Sequence, residues 1–271
     1  MSETNGTYIG KRGYTIYKDC LTPKDLKFIR DSLNVAPYIP KSPVQPEAFP
    51  VFLESRNKIY MPRYFGLEHF GPPDEYKLSH GEHIKIEFNG KVRDNQKQII
   101  DTYMTKIDGE IGGGGLLDVP CGWGKTAMAL NIISRLNTKT LVIVHKGFLL
   151  NQWIERITEF LPTAKVGRIQ GKIIDIEGKD IVIGMLQSLS MKTYSDDMFT
   201  CFGLTIVDEC HHISSEVFSK SLSSIVTKYT LGLSATMNRK DGLTHVFKMF
   251  LGEIAFSIER EKEDNVLVKA L

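Results

Sequence analysis

The sequence predicts an α/β fold built on a doubly wound, mostly parallel sheet, and three observations carry that expectation. Short, unbroken apolar runs recur from residue 116 onward. Stretches with apolar residues at helical spacing separate them. Glycine-containing or acidic segments follow several of the runs directly. Unbroken apolar strands suit a parallel sheet covered on both faces, because an alternating strand would bury its polar half. Strands that alternate with helices imply right-handed crossovers, and ligands of such sheets lie beyond the carboxyl ends of the strands.

The 271 residues divide into two regions. Residues 1–92 read as a small α+β domain. Thr22-Pro23 opens a helix there, since Thr caps and Pro suits the first helical position; Leu26, Ile29 and Leu33 follow at helical spacing. Pro37, Pro40, Pro43, Pro46 and Pro50 mark an extended connector. FPVFLES and KIYMP read as two short strands around Ser55-Arg56-Asn57. HIKIEF alternates like a half-buried strand, and Asn89-Gly90 signals a turn.

From residue 93 the rhythm changes. Ile99, Ile100, Tyr103, Met104 and Ile107 make one helix face. The apolar runs are LLDV at 116–119, LVIV at 141–144, IVIG at 181–184, LTIV at 204–207 and TLGL at 230–233. Gly112 to Gly115, ahead of the first run, read as a mobile turn.

Composition bounds the function without naming it. The formal net charge is +2, and Lys plus Arg exceed Asp plus Glu by 13 to 11 in residues 1–92 and balance at 21 to 21 in residues 93–271. A histone-like or basic-tail protein is excluded; nucleic acid, if bound, meets a local patch. Cys20, Cys121, Cys201 and Cys210 form no CxxC pair and suggest neither a disulfide framework nor a zinc site. No apolar run approaches the roughly 18 residues of a membrane span, and MSETNGTYIGKRGYTIY lacks the core of a signal peptide. A soluble, intracellular protein is expected.

Chemistry collects after the strands. Asp118 to Thr126 runs from a strand through Val119-Pro120-Cys121-Gly122-Trp123-Gly124 into Lys125-Thr126 and a helix. Backbone N–H groups and a helix N-terminus suit phosphates, with Lys125 reaching the β- and γ-phosphates and Thr126 ligating Mg²⁺. Gly122 and Gly124 permit close backbone approach. The general pattern GxxxxGK[ST] wants glycine where Val119 stands, so an AxxGxGKT variant fits better. LTIV then leads into Asp208-Glu209-Cys210-His211, where Asp208 is placed to hold Mg²⁺ and Glu209 to act as general base. Ser234-Ala235-Thr236 follows a third strand.

In this order and spacing the three segments resemble motifs I, II and III of superfamily 2 DEAD/H-box helicases. Val92-Arg93-Asp94-Asn95-Gln96 resembles their adenine-reading motif, LVIVHKGFLLNQW motif Ia, and Gly-Met-Leu-Gln-Ser-Leu189 a strand-end segment that touches nucleic-acid phosphates. GLSATMNRKDGL is most similar to the XPB-like and UvsW-like branch, and to helicases of poxviruses and other large DNA viruses. The resemblance covers about residues 93–258 and implies the first RecA-like lobe, a P-loop NTPase, with 259–271 opening an interlobe linker.

It also implies residue roles. Gln96 and Arg93 meet the adenine of ATP. His211 couples the nucleotide to Ser234 and Thr236 and to a second RecA-like lobe. His145, Lys146, Gln170, Gly171, Gln187 and Ser188 line a track for DNA, with RNA left open. Trp153 shares a helix face with Leu149 and Ile157 and reads as core. Tyr60, Tyr64 and Phe65 serve either base stacking or a small core of their own. Nothing after Thr236 resembles the second lobe's Gln-x-x-Gly-Arg-x-x-Arg segment, so the sequence is expected to be a fragment or a single-lobe protein. Two alternatives stay open: the motor subunit of a restriction system, and a non-hydrolysing nucleotide- and DNA-binding protein.

Overall fold

The computed structural model describes residues 6–38, 41–195, 197–209, 215–236 and 242–258. It begins with a hairpin of β1 (Thr7–Gly10) and β2 (Gly13–Tyr17). Helix α1 (Pro23–Ser32) starts at the expected cap: the Thr22 hydroxyl accepts from the Asp25 N–H, and the Asp25 carboxylate accepts from the Thr22 N–H. The two-residue strands β3 (Asn34–Val35) and β4 (Phe49–Pro50) pair with each other. Then come β5 (Leu53–Glu54), β6 (Lys58–Met61), α2 (Arg63–Phe70) and β7 (Glu75–Tyr76). The first sheet runs β5-β6-β2-β1-β7, antiparallel except for β1 beside β7.

The second unit opens with α3 (Asp94–Met104), β8 (Ile107–Asp108), β9 (Gly112–Asp118), α4 (Lys125–Leu136), β10 (Thr140–Val144) and α5 (Gly147–Phe160). It continues with β11 (Val166–Gln170), β12 (Ile173–Ile174), β13 (Ile181–Met185), α6 (Leu186–Met191), β14 (Leu204–Asp208) and α7 (Ser215–Leu222). It closes with β15 (Tyr229–Ser234), α8 (Thr244–Leu251) and β16 (Ile254–Ser257). Its sheet runs β12-β11-β13-β10-β14-β15-β9-β16; every adjacent pair is parallel except β12 with β11, and β8 adds antiparallel to β9. The α/β class and the doubly wound parallel core are therefore as the apolar runs predict. No helix of the described residues is long and apolar enough to cross a membrane.

Two sequence expectations need correction, and one open alternative is decided. Gly112 to Gly115 are strand, not a mobile turn. A Cβ on Gly113 would stand 2.0 Å from the Lys106 carbonyl oxygen, and one on Gly114 2.0 Å from Thr230 Oγ1. Glycine is there for close packing of β8 and β15. HIKIEF joins neither sheet; apart from a bridge between His83 and Thr138 it has no ladder. Its alternation is real, because Ile84 and Ile86 are buried in the core of the parallel sheet while their neighbours face outward. Last, Phe65 is only 2% exposed and packs in a core, which removes it from any stacking surface. Tyr64 is half-buried, and its hydroxyl pairs with Thr230 Oγ1 at 3.0 Å.

The two units share a core. Ile9, Tyr14 and Phe65 of the first lie in one apolar cluster with Phe218, Phe247 and Leu251 of the second. Arg63, 5% exposed, crosses the seam and donates to the carbonyls of Lys228 and Ile111, both at 2.8 Å. The first sheet ends at Tyr76, and residues 82–89 already bond to the second unit, through Ile84 N–H to Asn137 and Asn89 N–H to Phe160.

Candidate active site

Parallel register brings the loops after β9, β14 and β15 out at one level. Asp118 stands opposite Ser234, and Leu233 opposite Asp208. With β15 between them, the ends of β9 and β14 lie roughly 10 Å apart.

The loop after β9 is held in a fixed shape. Val119 is fully buried and its N–H donates to the Ser234 carbonyl at 3.0 Å. Gly122 and Gly124 have φ of +82° and +81°, and Gly124 caps α4 in the left-handed region, where glycine has no steric penalty. A Cβ on Gly124 would lie 2.5 Å from Gln96 Nε2. Gln96 Nε2 and an Arg93 guanidinium nitrogen both donate to the Trp123 carbonyl at 2.8 Å, and the Arg93 N–H donates to Gln96 Oε1 at 3.0 Å. Arg93 and Gln96 thus hold the loop itself. Pro120 and Trp123 are half-buried, and Cys121 is exposed.

Lys125 is 9% exposed; its Nζ donates to the Val119 carbonyl at 3.1 Å and stands 3.6 Å from Glu209 Oε1. Glu209, directly after β14, has φ of +49°, a left-handed conformation unusual for a non-glycine residue. Asp208, 6% exposed, accepts a hydrogen bond on Oδ2 from Trp153 Nε1 at 2.8 Å. Burial pushes the Asp208 carboxyl above the usual carboxylate range; the indole donation and Lys125 oppose that push, while Glu209 adds to it.

These groups line a cleft of about 540 Å³, together with Gly122 and Thr126. Its other wall is α5, through Leu149, Gln152, Arg156 and Phe160, none of which the motifs had singled out for this place. A volume of several hundred Å³ suits a small-molecule ligand. Trp153 is core, as its helix face suggests, but its indole also reaches Asp208. A buried indole N–H needs an acceptor, and that requirement was the available signal.

The residues expected on a nucleic-acid track lie at the same sheet edge. Half-buried His145 and exposed Lys146 follow β10, and β10 pairs with β13. Half-buried Gln170 ends β11, the exposed Gly171 N–H donates to Ser188 Oγ at 2.9 Å, and Lys192 Nζ bonds the Gly171 carbonyl. Gln187 is exposed on α6. Ser234 is buried; its hydroxyl accepts from the Thr236 N–H at 3.1 Å and donates to the Thr236 carbonyl at 2.8 Å. Cys210, His211 and residues 259–271 lie outside the described residues.

A family model described as "Type III restriction enzyme, res subunit" matches residues 89–239. The chain belongs to this family. Within it the chain corresponds to the N-terminal lobe of superfamily 2 helicases, with the α/β fold of that lobe. Over 99% of its length it is 35% identical to a protein of Acanthamoeba polyphaga mimivirus, provisionally named an ATP-dependent RNA helicase, and it spans 52% of that relative. It is 34% identical over 142 residues to the archaeal DNA 3'-5' translocase XPB2 of Sulfurisphaera tokodaii, covering 52% of this chain and 31% of that protein. In fold it is similar to the UvsW helicase of bacteriophage T4, with a TM-score of 0.61 and 17% identity over 88% of this chain and 94% of that one. The chain thus spans about half the length of the mimivirus relative and a smaller share of the archaeal one.

Proposed function

We propose that this lobe binds ATP with Mg²⁺ and drives a DNA helicase or translocase when a second lobe closes on it. One observation carries the reading: Lys125, Asp208 and Glu209, far apart in sequence, meet in one cleft beside a glycine-shaped loop at a helix N-terminus. On this reading residues 93–258 are the motor lobe, 1–92 an accessory domain, and 259–271 the start of the connection to the second lobe.

The residues fit the ligand. The Thr126 hydroxyl and the Asp208 carboxylate are the hard oxygen donors that Mg²⁺ prefers, and both line the cleft. Bound there, Mg²⁺ would offset charge on the outer phosphates. Lys125 places a fixed cation beside the same phosphates. Glu209 takes the proton of the attacking water. Arg93 and Gln96 carry the adenine edge and the loop together, and Ser234, Thr236 and His211 pass the nucleotide state onward.

Nucleic-acid contact falls to His145, Lys146, Gln170, Gly171, Gln187 and Ser188. The archaeal relative, named for DNA, supports DNA, and the mimivirus relative, named for RNA, makes RNA the competing outcome. The test has two parts. Lys125→Ala should abolish most binding of a fluorescent ATP analogue while leaving the circular dichroism spectrum unchanged; equal affinity would sink the assignment. A polypeptide extended through the second lobe should then hydrolyse ATP faster with DNA than with RNA. Nucleolytic cleavage of DNA by the same protein would favour the restriction-subunit alternative.

A further inference from the structure

The Trp153–Asp208 contact asks more of the residue than packing requires. Trp153 is 1% exposed among Leu149, Leu150 and Ile157, contacts that need no polar atom. Its indole N–H meets a carboxylate oxygen at 2.8 Å, so the bond is charge-assisted and strong when Asp208 is ionised. Fixing one oxygen fixes the plane of the carboxylate, and with it the direction in which the other oxygen points. The same helix lines the cleft through Leu149, Gln152, Arg156 and Phe160, so the donor comes from an element that is already part of the site.

We propose that Trp153 is a positioning residue: its indole N–H orients the Asp208 carboxylate for the metal–nucleotide complex and fastens α5 to the end of β14. The role rests on the ATP reading, but the bond itself does not. Hydrogen bonds that orient a metal-ligating group are typically worth 10- to 100-fold in metal affinity.

Two measurements test it. In ¹H–¹⁵N spectra of the 271-residue chain, the Trp153 indole signal, identified by its loss in Trp153→Phe, should shift upfield in Asp208→Ala, with no nucleotide present. An unmoved signal would overturn the contact. The second uses Mn²⁺ as a paramagnetic probe of the metal in the ATP-analogue complex. Trp153→Phe should weaken Mn²⁺ by about tenfold and change analogue binding in EDTA by less than about twofold. Because Phe also leaves a gap, Trp153 replaced by β-(3-benzothienyl)alanine, which keeps the shape and lacks the N–H, should show the same metal defect with an unchanged Tm. An isostere that binds Mn²⁺ like the wild type would overturn the positioning role. A wild-type chain that binds no Mn²⁺–nucleotide at all, yet shows the indole shift, would overturn the ATP reading and this role with it while leaving the bond in place.

Discussion

In the larger sheet, β10, β13, β14 and β15 have every residue buried, whereas in the smaller one β2 buries four of its five residues and its neighbours β1 and β6 only half of theirs. A sheet covered on both faces offers chemistry only at its strand ends. There Lys125, Asp208 and Glu209 collect. A half-covered sheet offers its face instead. Lys58 lies 4.5 Å from the ring centroid of Tyr17 and 5.2 Å from that of Tyr8, and Lys77 lies 4.5 Å from the same Tyr8 ring. The difference teaches where substitutions should act. Strand-end changes in the lobe should alter turnover and spare stability. Changes in the N-terminal unit should alter stability, or nucleic-acid affinity by small steps.

The largest effect should come from outside these 271 residues. On the proposed reading the cleft closes between two lobes, and an arginine supplied by the second would be worth roughly 10³ to 10⁵ in rate. The chain purified on its own should therefore hydrolyse ATP slowly and unwind no duplex. Adding the second lobe, in cis or as a separate polypeptide, should restore nucleic-acid-stimulated turnover by a factor of about that size. Rapid stimulated turnover by the chain alone would place the arginine within it, Arg239 first, or in a second copy. Arg239 lies outside the described residues.

Next comes Glu209→Gln in that two-lobed protein, which keeps the shape and removes the base. Turnover should fall by about 10² to 10⁴ with analogue affinity retained. Wild-type turnover would break the claim that the strand ends carry the chemistry.

That claim also explains what the sequence made legible. Buried strands must be apolar throughout, so LVIV, IVIG and LTIV stood out, and the groups that follow them were found where the sheet ends. The weaker strand β11, with exposed Arg168 in its middle, gave no such run and was missed. So were β16, α2 and α8. HIKIEF showed that alternation reports burial of one face and not the presence of a ladder. At the site, Lys125, Asp208 and Glu209 were legible because each is a motif residue. Arg156 and Phe160 were not, and Gln152, although inside the segment resembling motif Ia, carried no sign of the cleft, because a helix enters a cleft by tertiary packing, which no local spacing encodes.

Substitutions at the seam should move stability by intermediate amounts. Arg63→Ala removes one of two donors to the buried Lys228 carbonyl, which keeps the Gly113 N–H, and the donor to the part-buried Ile111 carbonyl, and should cost about 1–3 kcal/mol in urea unfolding. Tyr64→Phe loses one hydroxyl pair and should cost about 1 kcal/mol. Two separate unfolding transitions in either variant would show that the units do not share one cooperative core.

A smaller, pH-dependent effect belongs to Glu54, which ties β5 to α1. Arg30 and Lys18 both lie 2.6 Å from its Oε1, and their hydrogen bonds hold its carboxyl down at about 2 against an ordinary 4.5. A depressed folded-state pKa gives stability that is complete above the unfolded value and is lost as pH falls through the folded one. Wild type should therefore exceed Glu54→Gln by about 1 kcal/mol near neutral pH, a figure kept small because the pair is partly solvated. The gap should close between pH 4.5 and about 2. A gap independent of pH in urea titrations would assign the loss to shape alone.

The smallest steps should appear in nucleic-acid binding. Deleting residues 1–90 is a poor test, because Ile9, Tyr14 and Phe65 complete a core with Phe218 and Phe247. Charge substitutions on the surface avoid that problem. The exposed turn between β1 and β2 carries Lys11 and Arg12, with Arg12 over the Tyr60 ring at 5.5 Å. A concavity of about 360 Å³ joins these two residues to Lys192, Tyr194 and Lys220 of the lobe. Lys192 in turn bonds the carbonyl of Gly171, beside Ser188. The basic path thus runs from the N-terminal unit to the corner where nucleic-acid contact is expected. Each lost phosphate contact should lower the slope of log K against log salt by about 0.7 for a single strand or 0.9 for a duplex. Arg12→Ala and Lys192→Ala should each show that step in fluorescence anisotropy. Lys11 pairs with Asp197. Asp197→Asn should release Lys11 and steepen the slope, the opposite sign on the same surface. Slopes unchanged in all three variants would mean that the half-covered sheet serves only to close the core, and that the strand ends alone meet the nucleic acid.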